Sequence, residues 1–128
     1  MSYYVSKTTK APFDEALQKV QEELKKQGFG VLTEIDVKKA FKEKLNVDFK
    51  RYRILGACNP NLAYEALQKE DKIGVMLPCN VVVEEHDDGT VEVSVVDPIA
   101  SMMAIENAEL SRIAGSARDK LRAMIESV

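Results

Sequence analysis

Two valine-rich runs joined by an acidic turn constrain the fold of this 128-residue chain more than any other feature. The turn reads Asp-Asp-Gly at residues 87–89, and an Asp-Gly pair between β-branched runs predicts a β-hairpin. A two-residue loop would pair Glu84 with Val93 and place a carboxylate among the valines. A three-residue loop pairs Val83 with Val93 and lets Gly89 adopt the left-handed conformation of a bulge. Because register follows the burial pattern, we predict the three-residue loop.

The predicted register divides the hairpin into an apolar face and a polar face. The apolar face carries Val81, Val83, Val91, Val93 and Val95, and the polar face carries Val82, Glu84, Glu92 and Ser94. Glu84 lies opposite Glu92, an unfavourable pair that a solvated face tolerates. Such alternation is typical of an antiparallel sheet with one covered face and one face in contact with water. We therefore expect helices to pack on the valine face.

The remaining elements follow in an order that predicts an α+β fold. Strands are predicted over residues 3–8, 29–35 and 49–58, and helices over residues 12–28, 36–45 and 61–70 and from about residue 107 onward. Val37, Ala40, Phe41 and Leu45 are expected to face inward from the second helix. Residues 73–77 fit a strand or a turn equally well. The order predicts a mainly antiparallel sheet with helices packed on one face and two short extra helices.

Capping residues mark several of the predicted helix ends. Asp36 suits the N-cap of the second helix, and Asn59-Pro60 and Asp97-Pro98 each combine an N-cap residue with a first-turn proline. Gly28 suits a left-handed cap at the end of the first helix. Gly115 lies inside the last helix, where it would permit close packing.

Composition limits the classes of function. The length suits a single domain over residues 1–128, with 45% hydrophobic and 30% charged residues, as in ordinary globular proteins. A net charge of −3 argues against nucleic-acid binding, and the basic cluster over residues 38–53 is interpreted as a solvated surface. We expect no membrane partner, since no apolar run reaches spanning length. Two cysteines without a secretory signal predict a cytoplasmic location and no disulfide framework.

Four motifs in a fixed order carry a resemblance to a known family. They are Cys58-Asn59-Pro60, the run Leu77-Pro78-Cys79-Asn80-Val81, the acidic Asp-Gly hairpin and Asp97-Pro98. Together they resemble the bacterial domain-of-unknown-function family numbered 302 over nearly the whole chain. The resemblance implies a compact β-α-β-β-β-β-α core, similar to a TATA-binding-protein-like sheet, and a homodimer. It supplies no activity, and the likeness in fold does not imply DNA binding.

The two Cys-Asn motifs predict a shared pocket. Cys58 precedes a predicted helix N-terminus, whose amides and dipole are expected to lower its pKa. Cys79 opens the hairpin, so both thiols would lie at one end of the sheet if the third strand and the hairpin are neighbours. Asn59 and Asn80 would add amide donors and acceptors, although both also suit caps or turns. With Asp97, which is most simply an N-cap, they form our candidate ligand-binding set.

Three functions are compatible with this set. The first is a dimeric, non-enzymatic domain that binds a small molecule near the two motifs. The second is thiol-based redox chemistry or soft-metal handling at Cys58 and Cys79, although their spacing is not a CxxC motif. The third is a purely structural or protein-interaction role, in which both cysteines are small buried hydrophobes. We predict no catalytic residue, and the sequence identifies no cofactor.

Two further features have both a functional and a structural interpretation. The lone His86 lies between Glu85 and Asp87, where it would bind a divalent metal or be an exposed turn residue. The structural interpretation is favoured, because no second histidine is present. Met102 and Met103 lie in an apolar segment after the hairpin, where they would form a dimer contact or part of the core. We favour the dimer contact on the basis of the family resemblance.

Overall fold

The structure, a computed structural model, describes residues 2–128 and contains a five-stranded sheet and its helices. The strands are β1 (Tyr4–Thr9), β2 (Gly30–Asp36), β3 (Tyr52–Cys58), β4 (Cys79–Glu85) and β5 (Val91–Val96). The helices are α1 (Phe13–Lys26), α2 (Val37–Leu45), α3 (Pro60–Lys69), α4 (Pro98–Ser101) and α5 (Ala108–Ser127), with a 3₁₀ helix over Asp71–Met76. The sheet order is β1-β5-β4-β3-β2, and all neighbouring strands are antiparallel. The predicted α+β fold is confirmed, whereas the likeness to a TATA-binding-protein-like sheet stays a prediction.

The hairpin β4–β5 has the predicted three-residue loop and register. Val83 pairs with Val93, and the left-handed Gly89 has a φ of +86°. The His86 amide donates a hydrogen bond to the Thr90 carbonyl at 2.8 Å, which closes the hairpin at the loop. The Asp88 carboxylate accepts hydrogen bonds from the Thr90 amide at 2.9 Å and the Thr90 hydroxyl at 2.6 Å. The turn and the burial pattern therefore favour the same register.

The main core lies between the valine face of the sheet and helices α1 and α5. Its fully buried side chains include Val81, Val83, Val91, Val93, Leu55, Val20, Leu24, Leu121 and Met124. A second, smaller cluster joins α3, the 3₁₀ helix and the start of α5 through Ala66, Ile73, Leu110 and Ile113. We call the opposite side of the sheet the open face, because α1 and α5 both pack on the valine side.

Side-chain caps begin α2, α3 and α4 at the predicted residues. Asp36 accepts a hydrogen bond from the Lys39 amide at 3.0 Å at the start of α2, and Asn59 accepts one from the Leu62 amide at 3.2 Å at the start of α3. Asp97 accepts one from the Ile99 amide at 2.9 Å at the start of α4. Gly28, just after α1, has the left-handed φ of +81° expected of a cap.

Helix α2 departs from the prediction, because none of its residues is buried. The side chain of Leu45 is 66% exposed, although the spacing of Val37, Ala40, Phe41 and Leu45 predicts an inward stripe. Phe41 instead packs edge to face on Phe49 at a ring distance of 5.2 Å. Helices α1 and α5 already cover the valine face, so the apolar side of α2 meets a local aromatic cluster.

The start of the third strand also differs from the sequence expectation. β3 begins at Tyr52 rather than at residue 49, because Phe49 turns toward α2. Residues 73–77, which fit a strand or a turn equally well in the sequence, fall mostly within the 3₁₀ helix. Within residues 2–128, the structure has no helix with the length and apolar character needed to cross a bilayer.

Candidate functional site

A concave groove of about 580 Å³ runs over the open face of the sheet. Its floor is formed by β4 and β5, whose residues Val82 and Ser94 point away from the core, and Val96 at the end of β5 also lines it. Val75, Met76 and Pro78 line the groove from the 3₁₀ helix and the segment after it, and the aromatic residues Tyr3, Tyr4 and Tyr52 also line it. The groove is therefore largely apolar along its length.

Charged side chains occupy one end of the groove. Glu84 on β4 pairs with Glu92 on β5, as the hairpin register predicts. Lys50 Nζ lies 2.6 Å from Glu84 Oε1, and His86 Nε2 lies 2.8 Å from Glu92 Oε1. The hydrogen bond to Glu84 raises the pKa of Lys50. Hydrogen bonds from His86 and then from Ser6 lower the pKa of Glu92, so this carboxylate is ionised at neutral pH.

The structure places His86 beside different carboxylates from those expected from the sequence. One ligand atom from each of Glu84, His86 and Glu92 lies within 4.8 Å of the other two. The interpretation from the sequence grouped His86 with its chain neighbours Glu85 and Asp87. Alternate residues of a strand share a face, which places His86 near Glu84, and the predicted register places Glu84 opposite Glu92. The predicted hairpin therefore already contained the information that groups these three residues.

A second, much smaller cavity of about 40 Å³ lies between the sheet and the helices. Cys58, Asn59 and Cys79 line it together with apolar residues of α3 and α5. This volume suits about one water molecule, and its lining is almost entirely apolar. The structure therefore brings three of the predicted ligand-binding residues together, but around a space that is too small for an organic ligand.

Asn80 and Asp97 lie apart from this cavity. Asn80 is exposed on the open face and lines the groove, because successive residues of β4 point to opposite sides of the sheet. Asp97 is buried and lines neither space. Its carboxylate caps α4, and its amide donates a hydrogen bond to the Tyr3 carbonyl at 2.8 Å. The five predicted residues therefore do not line a single pocket.

Both cysteines are free, and their environment makes them poor nucleophiles at neutral pH. Burial raises the pKa of Cys79 to about 11, with a smaller contribution from the nearby Cys58. Burial also raises the pKa of Cys58, so the predicted lowering by a helix N-terminus is wrong. The Asn59 side chain already accepts the Leu62 amide hydrogen at that terminus, and desolvation of the thiol dominates.

The two methionines of the predicted dimer contact differ in exposure. Met102 is half-buried and packs on the cluster formed by α3, the 3₁₀ helix and α5. Met103 is 66% exposed. Within this chain, Met102 is therefore part of the packing between helices, whereas Met103 is available for contact with another molecule.

The basic cluster around α2 is largely balanced by acidic side chains. Lys39, Lys42, Lys50, Arg51 and Arg53 each lie within 4.0 Å of a carboxylate oxygen. Arg53 contacts both Glu34 and Asp36 on the neighbouring strand β2. The local positive potential is thus reduced, in agreement with the interpretation of this cluster as a solvated surface.

Comparisons with known proteins give a family but no activity. A search of curated proteins finds no match. The fold is similar to the crystal structure of an uncharacterized conserved protein DUF302 from Bacillus stearothermophilus, with a TM-score of 0.92. The two sequences are 27% identical, and the alignment covers 99% of this chain and 98% of that one. Residues 5–128 match the family described as Domain of unknown function DUF302, and the chain therefore belongs to that family.

Proposed function

We propose that this domain binds a small, largely apolar molecule in the groove on its open face, without catalysing a reaction. The observation that carries the proposal is the groove itself. Its volume of about 580 Å³ lies in the usual range of small-molecule sites, roughly 300–1,000 Å³. The proposal keeps the predicted binding role of Asn80, which lines the groove, and moves the site to the opposite side of the sheet from the cavity at Cys58 and Cys79.

The lining of the groove indicates the chemistry of its ligand. Val82, Val96 and Met76 offer apolar surface, and the tyrosine rings add surface that accommodates flat or cationic groups. At the charged end, two carboxylates meet one ammonium and one imidazole. This balance favours a ligand whose polar group is a cation or a hydrogen-bond donor.

Binding of the neutral dye Nile red provides a direct test. Its fluorescence increases in an apolar environment, so we expect a saturable increase with the wild-type chain. Ser94 lies half-buried on the floor, and Ser94→Trp fills the space above it. We expect this variant to weaken dye binding by about tenfold or more, or about 1.4 kcal/mol, because the indole ring occupies space that the dye would fill.

Ser127→Trp is the matched control, because Ser127 is exposed at the end of α5, on the other side of the sheet. It should bind the dye as the wild type does. Circular dichroism of both variants checks that they remain folded. Equal dye binding by the wild type and a folded Ser94→Trp variant would refute the groove as the site, as would the absence of saturable binding.

We further propose that the domain is a homodimer, as the family resemblance implies, with Met103 in the interface. Its exposed thioether supports this placement, since methionine packs adaptably in interfaces. Met103→Glu should yield a monomer in native mass spectrometry. Leu45→Glu is a matched control, because Leu45 is equally exposed, at 66%. Met102 is left unchanged because it packs within the chain. A dimer that is unaffected by Met103→Glu would refute this interface.

Thiol chemistry at Cys58 and Cys79 receives less support. The raised pKa values keep both thiols protonated at neutral pH, and the thiolate is the form that attacks disulfides and binds soft metals. Protonated cysteines in an apolar setting fit a structural role instead.

A further inference from the structure

We propose that Glu84, His86 and Glu92 form a binding site for a divalent transition-metal ion of the zinc type. The inference goes beyond the proposed small-molecule binding and stands without it. Each residue offers one ligand atom, and these three atoms lie within 4.8 Å of one another. Ligands of such an ion, with bonds of about 2.0–2.2 Å, lie roughly 3–3.5 Å apart, so small rotations of the glutamate carboxylates complete the geometry.

The donor types select the class of ion. One imidazole nitrogen and two carboxylate oxygens suit ions of intermediate softness such as Zn²⁺ and Co²⁺. Mg²⁺ and Ca²⁺ prefer oxygen ligands alone, and Cu⁺ prefers thiolates. Three protein ligands leave one position of a tetrahedral ion open, as in zinc sites that bind water or a substrate. Glu84 and Glu92 also line the groove, so the proposed site borders it.

The hairpin itself supports a cation at this place. Glu84 and Glu92 are cross-strand partners, and like charges directly opposite each other destabilise a sheet. In the structure Lys50 and His86 reduce this repulsion, because each lies within hydrogen-bonding distance of one carboxylate. A divalent ion between the carboxylates would reduce it further. To bind the ion, His86 Nε2 gives up the hydrogen that it donates to Glu92, which passes to Nδ1 or to solvent, and the freed lone pair bonds to the metal.

The site is formed by rigid elements of the fold. Glu84 and Glu92 lie within paired strands, and His86 follows β4 directly, where its amide is hydrogen bonded to Thr90. The glutamate side chains are only 16% and 25% exposed. The ligands are therefore largely in place before an ion binds, which reduces the entropy lost on binding.

The contact of Lys50 with Glu84 allows a test that distinguishes a specific metal site from a nonspecific acidic surface. Its ammonium lies 2.6 Å from Glu84 Oε1 and competes with an incoming cation for that carboxylate. Removal of this charge by Lys50→Met should therefore tighten metal binding by about threefold to tenfold, corresponding to about 0.7–1.4 kcal/mol. Lys25→Met makes the same change of charge on the exposed side of α1, on the other side of the sheet, and should leave the affinity unchanged.

Calorimetric titration of the full chain with Zn²⁺, and absorption spectroscopy with Co²⁺, test the site. We expect one ion per chain. Glu84→Gln, His86→Gln and Glu92→Gln should each weaken binding by about 100-fold or more, since even the loss of an outer-shell partner weakens metal binding about 10–100-fold. Glu85→Gln and Asp87→Asn are controls that remove a similar charge from the residues on either side of His86.

The outcomes separate the site from its alternatives. Wild-type affinity in both controls, with loss in the three ligand variants and a gain in Lys50→Met, supports the proposal. Equal weakening by Glu85→Gln and Glu84→Gln would overturn it in favour of a diffuse acidic surface, and absence of stoichiometric binding would overturn it outright. Nile red binding measured in a chelating buffer is independent of these results, so either proposal can fail alone.

Discussion

The two faces of the hairpin β4–β5 share the same strands but have different environments. On the covered face, Val81, Val83, Val91, Val93 and Val95 are at most 1% exposed against α1 and α5. On the open face, the alternate residues Val82, Glu84, Glu92 and Ser94 are half-buried and line the groove. One face therefore determines how the chain folds, whereas the other carries the polar groups of the proposed binding sites. Alternation in a strand separates these roles residue by residue.

The sharpest test of this comparison places one carboxylate on each face. Val93→Asp buries it among the valines and should destabilise the protein by on the order of 5 kcal/mol, comparable to the stability of a small domain. Ser94→Asp places it on the open face and should change the free energy of unfolding by about 1 kcal/mol or less. Urea unfolding followed by circular dichroism measures both. A stable, folded Val93→Asp variant would contradict the assignment of the core.

Local rules were sufficient for much of the fold. The Asp-Asp-Gly turn and the valine alternation predicted the register, because a slip by one residue would bury Glu84. Asp36, Asn59 and Asp97 were recognised as caps, because capping depends on residues two or three positions away. Helix α2 was misjudged because its apolar spacing does not reveal that α1 and α5 already occupy the covered face.

The candidate site was less predictable, because it depends on which residues meet across the sheet. Cys79 and Asn80 are adjacent in the chain, yet they belong to opposite faces. The sequence groups His86 with its chain neighbours, although its nearest ligand atoms in space belong to Glu84, two residues earlier, and Glu92, on the next strand. The contact of Lys50 with Glu84 joins residues 34 positions apart, and no local pattern reports it.

The thiols provide the next test, through pH. Burial raises the pKa of Cys79 from its usual 9.0 to about 11, so between these values the folded state keeps a proton that the unfolded state loses. This contribution to stability is full below pH 9 and is lost as the pH rises to 11, by about 3 kcal/mol in total. We expect the stability of the wild type to fall more steeply over this interval than that of Cys79→Ala, as measured by urea unfolding. Parallel pH profiles would contradict the burial of this thiol.

Two glycines, Gly56 in β3 and Gly115 in α5, differ in how closely other atoms surround them. A Cβ on Gly56 would lie 2.8 Å from Pro78 Cγ and closer still to Thr33 Oγ1, so Gly56→Ala should destabilise by about 1–3 kcal/mol. Gly115 in α5 has nothing within 4 Å of its Cβ position, so the expectation that it permits close packing is wrong. Gly115→Ala should therefore stabilise by about 0.5–1 kcal/mol through helix propensity. Thermal unfolding compares the two, and stabilisation by Gly56→Ala would show that the open face is less crowded there than the structure indicates.

The smallest expected effect concerns the ion pair of Lys50 with Glu84 on the open face. The side chains are 36% and 16% exposed, and a pair in such a setting contributes about 1 kcal/mol or less to stability. A double-mutant cycle with Lys50→Met and Glu84→Gln should therefore give a weak coupling that declines further as salt is added. A coupling of about 3 kcal/mol or more would instead mean that this ion pair stabilises the fold. The open face would then contribute to folding at this position, contrary to the comparison of the two faces. Weak coupling means that a cation can displace Lys50 from Glu84 without loss of the fold, as binding at the open face requires.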